Sequence, residues 1–509
     1  MNYSELFRVT LPETVLEVAA LLVLVVDLAF LRKADLKTRA SVAALLGIVG
    51  CVAALWLMPA QTMFSVDGTV STALLVAGGW VAVAQIGILV LTGLTLALLV
   101  DAGFTRHVGE YVAIVLMSAT GGLIIAGAQD LLVIFVGLEL LSLGLYILTA
   151  FAKQSGKSAE AAMKYYLFGG MSAAFLLFGF SYLYGLTGST NLHQVVLGSI
   201  TSYGSGSPLF YVALVLVAAG LGFKVAAVPF HLWAPDAYEG APAPAAAFIA
   251  SVSKVASFAL LIGIGTVILH PFGNARVVQF VAGHRGPMPK YLGLQHPWSM
   301  LLAVLAAVSM ILGNLAALAQ VSVRRLLAYS AIAHAGYMLL ALAYLSSRGA
   351  AALLYYVLTY GLTTIGAFGV VGVVERSTGS DRMDAFLGLN KRNPLLAAVL
   401  LVLFLSLAGI PPLVGFWAKF NLFAAVLGVG GGVVPFTLVA LAVAFSAVSL
   451  YYYLQVLKRA YVMPATDATP IKMDAVTMAA LLLIAAGVVV FGCFPALLQN
   501  WIASSYPAL

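Results

Sequence analysis

The stretch that decides the fold runs from Gly220 to Lys254 and reads GLGFKVAAVPFHLWAPDAYEGAPAPAAAFIASVSK. It places two lysines, Lys224 and Lys254, inside apolar segments on either side of a short, proline-rich, acidic connection. A lysine at the centre of a hydrophobic helix costs roughly 2.5–3.5 kcal/mol to insert, so such residues are rare and usually mark an ion path. The rest of the chain is best interpreted as the housing of these lysines and their partners.

The composition places the chain in a membrane. Of the 509 residues, 63% are hydrophobic and only 8% are charged, and the mean hydropathy is +1.07. Soluble globular domains carry about 25% charged residues. Long apolar runs separated by short polar loops indicate helices, because the strands of a membrane barrel alternate polar and apolar residues. The net charge of +7 fits basic cytoplasmic loops and does not suggest nucleic acid.

Apolar runs of about 20 residues predict about fourteen membrane-spanning helices in a single membrane domain, residues 1–509. An even number of spans puts both termini on the same side of the membrane. The predicted spans, numbered helices 1 to 14, are 12–30, 40–57, 77–100, 110–128, 131–151, 162–185, 207–229, 242–268, 298–318, 326–345, 351–374, 394–426 (interrupted), 433–457 and 475–498.

The basic residues predict an orientation and leave a remainder. Of the 25 Lys and Arg, 16 fall in the loops of one side and 5 on the other. Because basic residues collect in cytoplasmic loops, both termini are predicted to face the periplasm. The remainder is Lys164, Lys224, Lys254 and Lys419, each within or at the edge of a span. Lys164 lies near the end of its span, where it could instead reach the headgroups; Glu139 is the acid nearest the middle of a span.

Two predicted spans are interrupted by proline close to a lysine. Pro229 follows Lys224 by five residues, and a Pro-Pro pair precedes Lys419 by seven. The backbone groups that proline frees are tolerated at membrane depth only beside protein or water. A broken helix with a nearby charge in each half is typical of transporters built from inverted repeats. We therefore predict two inverted five-helix repeats, 110–268 (helices 4–8) and 298–457 (helices 9–13), with helices 7 and 12 broken.

Helices 10 and 11 contribute further polar candidates. His334 lies in the middle of helix 10. A lone buried histidine is more often a hydrogen-bonded structural residue than a relay, but the line of lysines makes a proton-relay role equally reasonable. Tyr356, Tyr360 and Thr364 recur at i, i+4 and i+8 and form one polar stripe on helix 11, which either lines water or bonds a neighbouring helix.

Cofactor motifs are missing from the sequence. It has no GxxxxGK[ST] loop, no strand–GxGxxG–helix plan and no CxxC, and its two cysteines, Cys51 and Cys493, both lie in apolar segments. We therefore expect no haem, iron–sulfur cluster, flavin or metal on this chain.

Five motifs carry a resemblance to a known family. They are PFHLWAPDAYEGAPAPAAAFIASVSK, GLELLSLGLYILTAF, AEAAMKYYLFGG, LLAYSAIAHAGY and SLAGIPPLVGFWAKF. Together they resemble the subunit N family of bacterial NADH–quinone oxidoreductase, respiratory complex I, which is called subunit 2 in mitochondria and plastids. The resemblance covers most of the chain. The related subunits L and M and the multisubunit sodium/proton antiporters are less similar: they typically have a His-containing stretch where this chain has SVSK, and subunit M a glutamate in place of Lys419.

The resemblance implies an antiporter-like fold of 14 helices, set between other membrane subunits of the complex in the bacterial inner membrane. It implies that the redox cofactors and the quinone belong to those other subunits, and that their chemistry drives proton transfer through this chain. The residues of the central polar axis would be Glu139, Lys164, Lys224, Lys254 and Lys419.

A lysine whose carboxylate partner approaches and retreats is a proton carrier with a switch. We expect Glu139 to be that partner, for Lys224 directly or through Lys164. Lys254 is then the central relay and Lys419 the carrier toward the exit. Two alternatives stay open: a subunit of a multisubunit Na⁺/H⁺ antiporter, and a structural scaffold whose lysines pair with acids of adjacent subunits. Sodium favours clustered carboxylate and carbonyl oxygens, and the chain offers one deep carboxylate.

Overall fold

The structure, a computed structural model, describes residues 3–59, 62–65, 73–201, 207–269, 292–429, 432–465 and 469–506. Its helices are α1 (Tyr3–Val9), α2 (Leu11–Val25, continued by a π-helical segment, Val26–Phe30), α3 (Leu36–Trp56), α4 (Gly79–Leu99), α5 (Val108–Gly127), α6 (Leu131–Thr149), α7 (Gly156–Thr187), α8 (Leu192–Thr201), α9 (Pro208–Val225), α10 (Trp233–Gly240), α11 (Ala243–Ala250), α12 (Val252–Leu269), α13 (Leu292–Leu318), α14 (Val323–Ala343), α15 (Ser347–Thr378, followed by a 3₁₀ turn, Met383–Phe386), α16 (Leu389–Arg392), α17 (Pro394–Ala408), α18 (Val414–Gly428), α19 (Val433–Tyr461), α20 (Ala475–Cys493) and α21 (Pro495–Ser505).

The prediction of a helical membrane protein is confirmed. Within the described residues, 12 helical spans are long and apolar enough to cross a bilayer, counting α11 with α12 as one. The other two predicted spans correspond to α2 with its π segment and to the shorter pair α17 and α18. The count of fourteen crossings stays a prediction.

Helices 7 and 12 are interrupted in the structure. In helix 7, α9 ends at Val225 and Ala226 adopts the left-handed conformation, with φ of 59°. In helix 12, α17 ends at Ala408, Gly409 has φ of 88°, and α18 starts at Val414. Glycine adopts positive φ without steric cost, whereas alanine does so only under constraint from its surroundings. Both breaks expose backbone carbonyls inside the bundle.

Helix 8 is also broken, where the sequence predicted one continuous span, 242–268. The helix α11 ends at Ala250 and α12 begins at Val252. Ser251 lies at the break, with φ of −116° and ψ of −76°, and its Oγ donates to the carbonyl of Ala247 at 2.6 Å. A serine that bonds the preceding turn competes with the helical ladder and bends the helix. The break therefore lies just ahead of Lys254.

Three smaller differences from the sequence prediction lie in the connections and at helix ends. A two-stranded antiparallel sheet, β1 (Thr62–Ser65) and β2 (Ala73–Ala77), forms between predicted helices 2 and 3, where the sequence predicts no strand. Helix 14 ends at Cys493, since Pro495 starts the separate helix α21. Helix α13 begins at Leu292 rather than 298. The rest of the predicted 270–297 connection lies outside the described residues.

The most buried helices sit at the centre of the bundle. The α11–α12 span and α14 are each 94% buried over their apolar windows, against 17% for α19. Both central spans pack on α15. Helix α12 carries Lys254 and α14 carries His334, so two of the predicted site residues belong to the core and not to the lipid-facing rim.

Candidate functional site

Three lysines are buried within the membrane-spanning part of the bundle. Lys224 is 6% exposed, Lys254 2% and Lys419 6%. An ammonium group in such a place is costly unless oxygen atoms replace its water shell. The structure supplies such oxygens at each site, and the three sets differ.

Lys224 lies in the last turn of α9 and is held by a serine. Its Nζ donates to Ser142 Oγ at 2.6 Å. Glu139 stands one turn earlier on the same face of α6, half-buried, and its charge interacts with that of Lys224. Among the ion pairs of the described residues, none joins Glu139 to Lys224. The direct contact expected from the sequence is thus replaced by a hydrogen bond to Ser142, a residue that the sequence analysis did not single out.

Lys254 lies in the first turn of α12, just after the break at Ser251. Its Nζ donates to the backbone carbonyl of Ala331 on α14 at 2.5 Å. It also lies 5.4 Å from the centroid of the Tyr360 ring, within the range of a cation–π interaction. The break thus lets α12 present this lysine to both α14 and α15.

Lys419 is bound by the broken helix on which it lies. Its Nζ donates to the carbonyls of Leu407 and Ala408, each at 3.0 Å, and to Ser446 Oγ at 2.8 Å. These carbonyls belong to the last turn of α17, where a helix leaves acceptors unused and attracts cations. The missing Cβ of Gly409 makes room, because a Cβ there would come within 3.0 Å of the lysine stem.

His334 joins the last two lysines. It is 3% exposed, and its Nδ1 hydrogen-bonds the hydroxyl of Tyr356 at 2.8 Å. Its charge would interact with those of both Lys254 and Lys419. Its Nε2 has no hydrogen-bond partner among the described residues. His334 and Tyr360 both line a small cavity of about 10 Å³, roughly the space that one water molecule needs. The geometry suits a relay group.

A second polar network, absent from the sequence predictions, ties α13 and α19 to α14. Asn314 donates to the hydroxyl of Tyr337 at 3.1 Å and accepts from the hydroxyl of Tyr452 at the same distance. Ser330 and Tyr453 hydrogen-bond to each other. The ring of Tyr337 lies 5.6 Å from Lys419 Nζ. An asparagine inside an apolar span was the available signal for this network.

Lys164 does not reach the other lysines by direct contact. Its Nζ lies 2.6 Å from a carboxylate oxygen of Glu160 and 2.9 Å from one of Asp236, and its side chain is 42% exposed. Arg325, at the start of α14, binds Asp236 at 2.7 Å and Glu239 at 3.0 Å. Lys164 therefore belongs to a cluster of ion pairs around the connection that follows broken helix 7.

Arg324 completes this ion-pair cluster. It is only 4% exposed and donates to the backbone carbonyls of Glu239 and Ala241 at 2.8 and 2.7 Å. Its other terminal nitrogen lies 2.9 Å from Glu375 at the end of α15. The predicted spans leave Arg324 and Arg325 in a loop, whereas both lie in the first turn of α14 and bind residues of α10 and of the α10–α11 connection.

Two further properties of the ion-pair cluster are the lowered pKa of Asp236 and a cavity beside it. Burial alone would raise the pKa of Asp236, but the hydrogen bonds from Lys164 and Arg325 outweigh it and hold that pKa below its ordinary value. A cavity of about 320 Å³ opens beside the cluster, lined among others by Glu239, Arg324 and Glu375.

In the part of the chain that the structure describes, no group of three His, Cys, Asp or Glu side chains is placed to hold a metal ion.

Comparison with known proteins gives consistent results. The family model described as NADH:quinone oxidoreductase/Mrp antiporter, TM, matches residues 128–283 and 287–447. NADH-quinone oxidoreductase subunit N 2 of Acidobacterium capsulatum is 48% identical, over 99% of both chains. A chain of respiratory complex I from Thermus thermophilus, solved with bound aureothin, superposes with a TM-score of 0.75 at 33% identity, covering 96% of this chain and 98% of that one.

A more distant structural likeness concerns the fold alone. A chain of the Mrp complex from Dietzia sp. superposes with a TM-score of 0.80 at 23% identity, over 98% of this chain and 51% of that one. The match to subunit N has a higher identity, 48% against 23%, and covers 99% of that relative, against 51% of the Mrp chain. The chain therefore belongs to the NADH:quinone oxidoreductase/Mrp antiporter membrane family and, within it, to the subunit N branch of the NADH-quinone oxidoreductases.

Proposed function

We propose that this chain is a proton-translocating membrane subunit of an NADH–quinone oxidoreductase. Protons move along a buried line formed by Glu139, Lys224, Lys254, His334 and Lys419, and quinone reduction on other subunits supplies the energy. One observation carries the proposal: three lysines deep in a subunit N fold are held by neutral oxygens, and a buried histidine is close enough to the last two for its charge to interact with theirs.

Neutral acceptors suit a proton carrier better than carboxylates do. A buried ammonium next to hydroxyl or carbonyl oxygens gives up its proton more readily than one paired with a carboxylate, because no negative charge favours its charged form. Lys254 bonds a backbone carbonyl and Lys419 two carbonyls and a hydroxyl. These acceptors keep the nitrogen in place whether or not it carries the extra proton.

We propose an order for these groups, which runs from the ion-pair cluster to Lys419. The ion-pair cluster with Lys164 lies beside the 320 Å³ cavity and takes part in proton uptake from the cytoplasm. Glu139 then controls the charge of Lys224, Lys254 is the central relay, and His334 passes the proton between Lys254 and Lys419. Lys419 releases it toward the periplasm.

The two predicted repeats, 110–268 and 298–457, remain part of the proposal, and the two broken-helix lysines support them. Lys224 contacts Ser142, three residues after Glu139 on α6. Lys419 lies over Tyr337, three residues after His334 on α14. Since α6 and α14 are each the second helix of a repeat, His334 takes in the second repeat the position of Glu139 in the first.

Partners and location follow from the same assignment. The chain lies in a bacterial inner membrane between other membrane subunits of the complex, with both termini on the periplasmic side. The flavin, iron–sulfur clusters and quinone site belong to those other subunits. The alternative, a subunit of a multisubunit Na⁺/H⁺ antiporter, has the fold likeness to the Mrp complex in its favour. Against it, the described core offers buried lysines where sodium favours clustered oxygen anions.

Two experiments test the proposal. The complex purified through a tag on this chain should contain NADH-oxidising and quinone-reducing subunits, and a complex without them would favour the antiporter. In that complex, Lys224→Ala, Lys254→Ala and Lys419→Ala should each lower proton pumping in sealed vesicles. Full pumping in all three assembled variants would leave only the scaffold interpretation.

A further inference from the structure

The two hydrogen bonds of the Ser142 hydroxyl determine how it can bind the ammonium of Lys224. Its Oγ donates to the carbonyl of Leu138 at 2.5 Å and receives Lys224 Nζ at 2.6 Å. A hydroxyl has a single hydrogen, which Leu138 here occupies, so Ser142 offers only lone pairs to the lysine. Ser142 is therefore an acceptor that cannot itself take over the proton of Lys224 without breaking its own bond.

Glu139 offers the same ammonium a second acceptor. It lies three residues before Ser142, so the two side chains share one face of α6 about 4.5 Å apart along the helix axis. A lysine carries its charge on a flexible stem of four carbons and can shift over such a distance without backbone movement. Glu139 is half-buried, while Ser142 is 4% exposed. The acid thus lies toward the surface and the serine toward the core.

We propose that Ser142 is the second position at which Lys224 is held and works as a positioning residue for the step in which Lys224 releases its proton; the inference rests on the function proposed above. Next to Glu139 the lysine is a paired ammonium and keeps its proton. Next to Ser142 it faces a neutral oxygen, and its proton passes from Nζ to the neutral amine of Lys254, which becomes an ammonium. The lysine changes from the charged to the neutral amine, Glu139 stays ionised, and Ser142 keeps its hydrogen on Leu138.

The other titratable groups around Lys224 do not offer a competing charge. Tyr146 on α6 and Tyr165 on α7 pack against each other with their ring centroids 4.7 Å apart. Both phenols are neutral at physiological pH. From α12, which packs on α9, the titratable group is Lys254, and its nitrogen is bonded to Ala331 on another helix. Glu139 is the acid whose charge acts on Lys224. Whether Lys224 lies beside Glu139 or beside Ser142 therefore decides whether it keeps or releases its proton.

The test uses Ser142→Ala in the complete complex in sealed vesicles, with pumping and quinone reduction measured across pH. Without the serine, Lys224 stays with Glu139 and holds its proton more firmly. Pumping near neutral pH should fall several-fold, and the pH optimum should move to higher pH by about one unit. Ser142→Thr keeps the hydroxyl and should retain the wild-type optimum.

Ser118→Ala is the matched control. Ser118 is equally buried, on the neighbouring helix α5, and bonds the carbonyl of Ile114 at 2.7 Å. An unchanged pH optimum in assembled Ser142→Ala would overturn the inference. So would the same shift in Ser118→Ala, or a shift in Ser142→Thr as large as in Ser142→Ala. The proposed function is judged separately by Lys224→Ala: if that variant stops pumping while Ser142→Ala has no effect, only the inference about Ser142 fails.

Discussion

The guanidinium of Arg325 binds the carboxylate of Asp236 at 2.7 Å and so joins the start of α14 to the connection that follows broken helix 7. The same carboxylate binds Lys164 on α7 at 2.9 Å. Nine residues after Arg325, the helix α14 carries His334. One acidic residue therefore connects α7, which carries Lys164, to α14, which carries His334, and it links the connection after broken helix 7 to both.

Asp236→Asn should weaken this junction. The pairs are about 30% exposed, so we expect a loss of about 1 kcal/mol in the stability of the complex. Because the pKa of Asp236 is depressed, its contribution is complete above the ordinary carboxyl pKa and disappears only as the pH falls through the lower, folded-state value. The difference in thermal midpoint between wild type and variant should thus be constant from about pH 8 to about pH 5.

The matched control for this junction is Asp384→Asn. Asp384 pairs with Arg459 at 3.6 Å and is 69% exposed, so its loss should change the midpoint little. A midpoint difference for Asp236→Asn that vanishes already near pH 6 would contradict a depressed pKa. Equal midpoints for the two variants would show that the junction contributes no more than a surface pair.

Much of this architecture is visible in the sequence, because hydrophobic length and buried charge are properties of single segments. The predicted spans of helices 3 to 6 agree with α4 to α7 to within a few residues, except that α7 starts six residues earlier than predicted. The breaks near Pro229 and before Lys419 follow from proline chemistry. Lys254 and His334 stand out as polar residues in apolar runs.

The contacts that decide chemistry are less visible. Ser142 and Ser251 are ordinary helix serines in sequence. Only the structure shows that Ser142 accepts a hydrogen bond from Lys224 on α9 and that Ser251 lies at the break before α12. The pairing of Asp236 with Arg325 joins residues 89 apart, so no local pattern predicts it. The resemblance implies a place for Lys164 on the polar axis, but its contact with Asp236 joins residues 72 apart and follows from no local pattern.

Lys254→Arg separates proton carriage from simple charge. Arginine stays protonated in proteins, so it can reproduce the positive charge near Ala331 and Tyr360 but cannot release a proton. Lys254→Met keeps the length of the stem and removes the charge. In assembled complexes we expect both to lower pumping by about tenfold or more. A scaffold role predicts instead that Arg restores what Met loses, and pumping in vesicles decides between them.

Cysteine labelling tests the orientation. The structure suggests Ser504 on α21 and Lys391 on α16 as exposed positions at the two ends of the bundle. Of the native cysteines, Cys493 is exposed and should be replaced by serine, whereas Cys51 is buried and can stay. A membrane-impermeant maleimide added from the periplasm should modify Ser504→Cys and not Lys391→Cys. The reverse pattern would invert the topology.

Glu139→Gln and Glu139→Asp test the switch. Gln keeps the size of the side chain but removes the negative charge that favours the charged form of Lys224, so the lysine is neutral more of the time and loading from the cytoplasm slows. Pumping and coupled quinone reduction should fall together by about tenfold, because Lys224 loses a nearby opposite charge. Asp keeps the charge and withdraws it by one methylene, so it should do less harm than Gln.

The conclusion depends on which of the two variants pumps better, because a packing role for Glu139 predicts the reverse order. Gln is nearly isosteric with Glu and would then be mild, while the shorter Asp would leave a gap beside Lys224. Glu13→Gln is the control, because Glu13 is a buried acid, 6% exposed, on α2 and outside the line. It should leave pumping unchanged. If assembled Glu139→Gln pumps better than Glu139→Asp, Glu139 is structural and the mechanism is wrong at its first step.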